Sequence, residues 1–214
     1  SLSVIDENTV VALGSTNAYS PNTAVWMIKG TILKAEFGAA KSPGLIIDGS
    51  ANKPVWQQAD SVFIGGYGAT NASVRSAWND DRLCLLVKVA DNYLVPGDGI
   101  QLMFDPENTS KRSPDSGIFS VFVNYQGNVV SREGQAGNWN NIDSEGITVV
   151  SKHASGGYLL EISIPWTLFK VEPPIGQRIG FHVVLLLIFL LNTGSIILQC
   201  GSIRSDDSKR LPCP

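Results

Sequence analysis

Charge is scarce in this sequence of 214 residues. Asp, Glu, Lys and Arg together make up 16%, and the formal net charge is −3. Proteins that bind nucleic acids carry a basic excess to meet the phosphates, so no nucleic-acid partner is expected. The one dense charged segment, residues 204–210, mixes both signs and is typical of a solvated tail.

Long apolar runs are also missing. The longest covers residues 183–191, which is about half of the ~20 residues that a helix needs to cross a bilayer. No membrane span is therefore predicted, and this run is expected to be a core strand. The sequence begins at Ser1 without a charged, apolar leader, as expected of a processed protein or an excised piece.

Cysteines and catalytic motifs are few. The three cysteines form no CxxC pair; Cys84 lies in an apolar run and is predicted to be a buried free thiol, whereas Cys200 and Cys213 could pair. The sequence has neither a G-x-S-x-G nor an H-E-x-x-H motif, and only His153 and His182 are available for base chemistry. We therefore predict that the chain is not an enzyme and has no catalytic residues.

What the sequence does contain is alternation between apolar and other residues, with 21 glycines and 11 prolines to form turns. The alternating runs are residues 72–78, 83–89, 100–104, 119–125, 158–164 and 179–183. A period of two at hairpin spacing, without helical patterns between the runs, is typical of strands in a sandwich. The prediction is an all-β fold, a two-sheet antiparallel β-sandwich of the immunoglobulin or jelly-roll kind.

The domain organisation is predicted as a sandwich over residues 45–214, preceded by an N-terminal extension or extra edge strands over residues 1–44. Two apolar segments of that extension, residues 10–13 and 24–28, have the composition of strands. They could add to a sheet edge or belong to the tail of a preceding domain.

Five segments, in order along the chain, resemble motifs of the family-nine carbohydrate-binding modules, which share a fold with the DOMON group. They are Ile47-Asp48-Gly49 with Pro54-Val55-Trp56 and Ala59; residues 74–78 with 81–86 and Val89-Ala90-Asp91; residues 98–105; residues 122–125; and Gly157-Tyr158, Glu161, Ile164-Pro165-Trp166 and Ile179-Gly180-Phe181. Together they cover roughly residues 45–185. Most are scaffold motifs, so Trp56, Trp78 and Trp166 are expected in the core.

The resemblance implies a non-catalytic module that binds a polysaccharide or oligosaccharide. It would be attached to a larger extracellular protein, either a glycan-degrading enzyme such as a glycoside hydrolase or a cell-surface protein. No cofactor is expected for this role.

Sugar binding in the family that this chain resembles uses two tryptophans around a terminal sugar, with charged and amide side chains beside it. The first tryptophan corresponds to residues 95–97, which are Val, Pro and Gly, and no tryptophan occurs in residues 200–214. The family's glutamate, arginine and glutamine correspond to Gln101, Phe122 and Val184. Most sugar-contact positions of the family are therefore not matched.

Candidate ligand residues lie on one predicted sheet face. If the strands alternate as predicted, Gln101, Phe122, Asn124 and His182 point away from the core. A mixed polar and apolar face suits a ligand groove, although a second packing layer under residues 1–44 would look the same.

Two further aromatic residues are candidates for stacking on a sugar. Trp139 stands among asparagines in an apparent polar loop, and Tyr67 stands among glycines. Scattered exposed aromatic residues are also ordinary.

Three alternatives remain open at this level. Met103 and His182 would be the axial ligands if the chain were a DOMON-type b-haem electron-transfer domain. A sandwich that has lost its sugar site would instead build a surface assembly by self-association, through the apolar run 183–191. The oxygen-rich residues 105–108 leave open a structural calcium ion, although turns use the same residue types.

Overall fold

The computed structural model describes residues 38–64, 70–109, 114–173, 176 and 178–187 with their side chains, and the backbone alone of residues 2–6, 9–15, 25–31, 65, 188–191 and 194–204. Among the described residues, no helix has the length and apolar character needed to cross a membrane.

Fifteen strands are described, with one short α-helix and one 3₁₀ helix. The strands are β1 (Leu2–Asp6), β2 (Thr9–Ser15), β3 (Val25–Thr31), β4 (Ala40–Lys41), β5 (Ser61–Gly65), β6 (Asn71–Trp78), β7 (Arg82–Ala90), β8 (Gly99–Asp105), β9 (Phe119–Asn124), β10 (Val129–Gln135), β11 (Asn138–Ile142), β12 (Thr148–Ala154), β13 (Gly157–Pro165), β14 (Gly180–Leu191) and β15 (Gly194–Arg204). The helices are α1 (Pro54–Gln58) and the 3₁₀ helix Trp166–Phe169.

Two sheets form the sandwich. Sheet I has the strand order β11-β10-β9-β8-β14-β15, and sheet II has the order β12-β13-β7-β6-β4, with β5 also paired to β6. Every pairing in the two sheets is antiparallel except the short parallel contact between β4 and β6. The predicted all-β sandwich is confirmed.

The main core lies between the two sheets, where the alternating apolar residues of both inner faces meet. Phe104 of β8 stacks at ring-centroid distances of 4.7 Å from Phe169 and 5.1 Å from Phe181. Trp166 is buried in the same core, as predicted. These aromatic contacts lock the 3₁₀ helix against sheet I, because aromatic pairs contribute beyond the area that they bury.

Strand β14 is covered on both faces as far as residue 185. Val183, Leu185 and Leu187 point into the main core. Val184, on the opposite face, is also buried, with 4% of its surface exposed, whereas Leu186 is partly buried. Over residues 183–187, whose side chains the structure describes, the apolar run is confirmed as a core strand.

A second, smaller apolar cluster covers the outer face of sheet II. Trp56 of α1 packs there with Ala77, Cys84 and Leu86. Cys84 is a buried free thiol, as predicted, and burial raises its pKa. The segment 45–58 thus acts as a lid on this side of the sandwich.

The N-terminal strands pair with one another. In the backbone pairing that the structure describes, β1, β2 and β3 form their own three-stranded sheet and join neither sheet of the sandwich. Residues 38–42, within the predicted extension, behave differently: β4 pairs with β6, and Trp78 Nε1 donates a hydrogen bond to the carbonyl of Ala39 at 3.1 Å.

Candidate functional site

The outer face of sheet I carries most of the predicted ligand residues. Gln101 of β8 lies directly opposite Phe122 of β9 and Val184 of β14. Met103, two residues further along, lies opposite Ser120 and His182. Residues directly opposite on neighbouring strands have their Cβ atoms about 5 Å apart. The structure therefore brings Gln101, Phe122 and His182 together on three adjoining strands.

The polar end of Gln101 is held in place. Its Nε2 donates a hydrogen bond to Ser120 Oγ at 3.1 Å. Because Ser120 is buried, this bond restrains the orientation of the Gln101 amide. Its Oε1 atom is then the acceptor for a ligand hydroxyl.

The Phe122 ring lies across the beginning of β8. A Cβ atom on Gly99 would be 2.8 Å from Phe122 Cε2, closer than real Cβ contacts allow. The absent side chain at Gly99 therefore leaves the space that the ring occupies. An aromatic ring beside a glycine gives an apolar surface of the kind on which a sugar face can stack.

Asn124 closes the turn between β9 and β10. Its Oδ1 accepts hydrogen bonds from the backbone N–H of Gln126 at 3.1 Å and of Asn128 at 2.8 Å. Only its Nδ2 group is left to donate to a ligand. Its first role is local, because Asn side chains stabilise such turns through these backbone bonds.

Trp139 does not lie in a loop, as the sequence suggested, but on the edge strand β11. This strand is rich in asparagine and therefore looks like a loop in the sequence. Its main contact with the core is made by Ile142. Trp139 lies opposite Gly134, and Asn141 lies opposite Arg132. Since Arg132 pairs with Ser120, Trp139 belongs to the same outer face as Phe122.

Exposure differs across this face. Gln101, Phe122, Asn124 and Trp139 are partly exposed. His182, by contrast, keeps only 9% of its surface and offers a ligand the least access of the predicted residues. The accessible part of the face is therefore the part formed by β8 to β11.

Tyr93 is an exposed aromatic residue that the sequence patterns did not single out, as is Phe63 of β5. Tyr93 is 70% exposed in the connection between β7 and β8, at the end of the sheet where β8 begins. The signal was an aromatic residue in a connection rich in Pro, Gly and Asp, but no period-two pattern marks it.

The connection that holds Tyr93 is braced by two buried carboxylates. Asp91 Oδ1 accepts from the N–H of Tyr93 at 2.9 Å, and Asp98 Oδ2 accepts from the N–H of Val95 at 2.6 Å. Burial raises the pKa of Asp91, and burial together with these carboxylates raises the pKa of Tyr158. The loop thus has a defined backbone while its tyrosine points to solvent.

The remaining predicted residues add little to the site. Tyr67 lies outside the described residues. Met103 and His182 are direct cross-strand neighbours. Within the described residues, no group of three or more His, Cys, Asp and Glu side chains is placed to hold a metal ion; Asp105 accepts a hydrogen bond from Thr109 Oγ1 at 3.1 Å.

The profile described as "Carbohydrate family 9 binding domain-like" matches residues 47–186, more than half of the chain. The chain belongs to this family, and the resemblance noted in the sequence is confirmed.

Two relatives are large polysaccharide-degrading proteins. The chain is 26% identical over 133 residues to endo-1,4-beta-xylanase A of Thermoanaerobacterium saccharolyticum. It is 27% identical over 131 residues to exoglucanase XynX of Acetivibrio thermocellus. These matches cover 60% and 61% of the chain but only 10% of either relative.

A solved structure shares the fold. It is a family-nine carbohydrate-binding module from Caldicellulosiruptor kristjanssonii in complex with cellotriose, with a TM-score of 0.60 and 18% identity. The match covers 78% of this chain and 82% of that one. This chain is a non-catalytic carbohydrate-binding module, as predicted, and the haem and assembly alternatives gain no support from these matches.

Proposed function

We propose that this module binds a β-1,4-linked glucan or xylan on the outer face of sheet I, as an appendage to an extracellular glycan-degrading enzyme or surface protein. The names of the two relatives, a xylanase and an exoglucanase, support the substrate class. The cellotriose bound by the solved family member supports it from a second direction.

The observation that carries the proposal is the pairing of Phe122 with Gln101. Recognition of a sugar needs an aromatic face for its C–H groups and fixed hydrogen-bonding groups for its hydroxyls. Phe122 supplies the first at Gly99, and the amide of Gln101, anchored on Ser120, supplies the second. Because both side chains are held by the sheet, little conformational entropy is lost on binding.

The other predicted residues take supporting roles around this pair. Asn124 Nδ2 lies at the end of the same face and would donate to a hydroxyl. Tyr93 would add a second aromatic surface from the loop before β8. Tyr67 and His182 remain candidates for the same site, with His182 limited by its burial, whereas Trp139 lies farther away on the edge strand β11.

The test is isothermal titration calorimetry with cellotriose and xylotriose. Phe122→Ala is expected to weaken binding about tenfold or more, and Gln101→Ala by a smaller factor. Phe63→Ala is the matched control, because Phe63 is an exposed aromatic residue on β5 of sheet II. Equal affinity of Phe122→Ala and wild type would place the site elsewhere.

A further inference from the structure

The β10–β11 hairpin carries a second group of side chains suited to a sugar. Trp139 and Asn141 of β11 and Arg132 of β10 all belong to the outer face of sheet I. Trp139 and Arg132 are half-buried, whereas Asn141 is exposed. Arg132 Nε donates a hydrogen bond to Asn141 Oδ1 at 3.2 Å, which fixes both polar groups relative to the strand that carries the ring.

The chemistry of this group fits a neutral, hydroxyl-rich chain. It combines one large aromatic ring with an amide and a guanidinium, which together provide several donors. Glu133, the acidic residue of β10, points to the other face, where it pairs with Lys170 at 2.8 Å. Arg132 is the one charged side chain of this group, and its N–H groups can donate to neutral sugar hydroxyls.

The Trp139 ring lies far from the Phe122–Gln101 pair. Trp139 and Gln101 are three strands apart and four residues apart along the strands, which gives roughly 20 Å for spacings of about 4.8 Å and 3.4 Å. A single sugar ring cannot contact both Trp139 and Gln101 over such a distance, whereas a chain of several sugar units can. Arg132 lies between them, on the strand next to Phe122.

A continuous path joins the two patches. Val130, opposite Phe122, is exposed between them, and Arg132 lies next to it on the same strand face. One border of the path is formed by Pro114 and Asp115, whose backbone lies over Gly134 so closely that a Cβ there would be 2.3 Å from the nitrogen of Asp115.

We propose that Trp139, Asn141 and Arg132 form a second subsite for the same glycan, so that the module binds an extended chain lying diagonally across sheet I. This proposal rests on the proposed function, because it extends the glycan bound at the Phe122–Gln101 pair to several sugar units. The module then recognises the inside of a polysaccharide chain as well as its ends.

Calorimetry with cellotriose and cellohexaose tests the second subsite, with the matching xylo-oligosaccharides run in parallel. In the wild-type chain, the hexasaccharide is expected to bind about tenfold more tightly than the trisaccharide. Trp139→Ala is expected to remove this gain and leave trisaccharide affinity unchanged. Trp139→Phe keeps an aromatic face and should restore part of the gain, and an unchanged melting temperature of each variant shows that the edge strand still folds.

Three outcomes would count against the second subsite or against the Phe122–Gln101 site. Equal affinity for both lengths in the wild type overturns the second subsite and leaves the proposed function intact. An equal loss for both lengths in Trp139→Ala places Trp139 in a single compact site and also overturns it. Binding of neither length, in either series, overturns the proposed function itself.

Discussion

Trp56 Nε1 donates a hydrogen bond to Glu161 Oε1 at 2.8 Å, across 105 residues of sequence. Glu161 is fully buried, and its other oxygen accepts from the backbone N–H groups of Asp48 at 2.9 Å and Gly49 at 2.7 Å. Lys53 adds an ion pair to the same carboxylate. One side chain of β13 therefore fastens the whole lid segment to sheet II.

Replacing that carboxylate should loosen the lid. Glu161→Gln exchanges an oxygen for an NH₂ group that faces existing donors and removes one of the two carboxylates paired with Lys53, which keeps Asp48 at 2.7 Å. We expect a loss of roughly 3 kcal/mol in the free energy of unfolding, measured in urea. Glu133→Gln is the control, because its partner Lys170 is 67% exposed and an ion pair that is open to solvent on one side contributes about 1 kcal/mol or less. Similar losses in both variants would refute the special role of Glu161.

Adding one methyl group at Gly99 should disturb the site and the sheet together. The Cβ would be 2.5 Å from the carbonyl oxygen of Val123 and 2.8 Å from the Phe122 ring. We expect Gly99→Ala to cost about 1–3 kcal/mol of stability and to weaken cellotriose binding by displacing the ring. Gly38→Ala, where the nearest atom is at an ordinary 3.4 Å, should change neither quantity. If a folded Gly99→Ala variant kept its affinity for cellotriose, the position of the Phe122 ring would not matter for binding.

The buried carboxylate of Asp91 predicts a pH-dependent stability difference. Its pKa is raised by burial, so ionisation costs more in the folded chain than in the unfolded chain, whose Asp pKa is about 3.9. The free energy of unfolding of the wild-type chain therefore decreases as the pH rises from about 3.9 towards the higher pKa that Asp91 has in the folded chain. Asp91→Asn can still accept the N–H of Tyr93 and should be more stable than wild type at pH 7, with the advantage disappearing near pH 3. Thermal melts of both chains between pH 3 and pH 7 test this. A stability advantage of Asp91→Asn that grows at low pH would contradict a raised pKa of Asp91.

Truncation should locate the beginning of the sandwich. Residues 38–42 contribute β4, the Trp78–Ala39 hydrogen bond and an ion pair of Lys41 with Asp80 at 2.7 Å. We expect a chain of residues 38–214 to unfold at the urea concentration of the full chain, and a chain of residues 45–214 to lose roughly 1–3 kcal/mol. Equal stability of the two truncated chains would favour a boundary at residue 45.

Alternation identified the strands that are covered on one or both faces. The runs over β6, β7, β8, β9 and β13 were correctly assigned, because each buries every second side chain between the sheets. In the turn between β6 and β7, Asn79 Oδ1 accepts from the N–H groups of Asp81 and Arg82. The face assignment of Gln101 and Phe122 followed directly from this parity.

The strands at the sheet edges escaped prediction for a physical reason. β11 and β12 bury little, so each mixes polar and apolar side chains on both faces and shows no clean period of two. Trp139 was consequently placed in a loop. Tyr93 was missed because a connection positions its residues through side-chain bonds such as those of Asp91 and Asp98, which no periodic pattern reveals.

The parity of the central strands has a practical use in protein engineering. On β9, Val121 and Val123 face the core while Phe122 and Asn124 face outward. A combinatorial library that varies only outward positions, such as Gln101, Phe122 and Trp139, would leave the packed interior untouched. Selection from such a library on different plant polysaccharides would yield affinity reagents that share one scaffold.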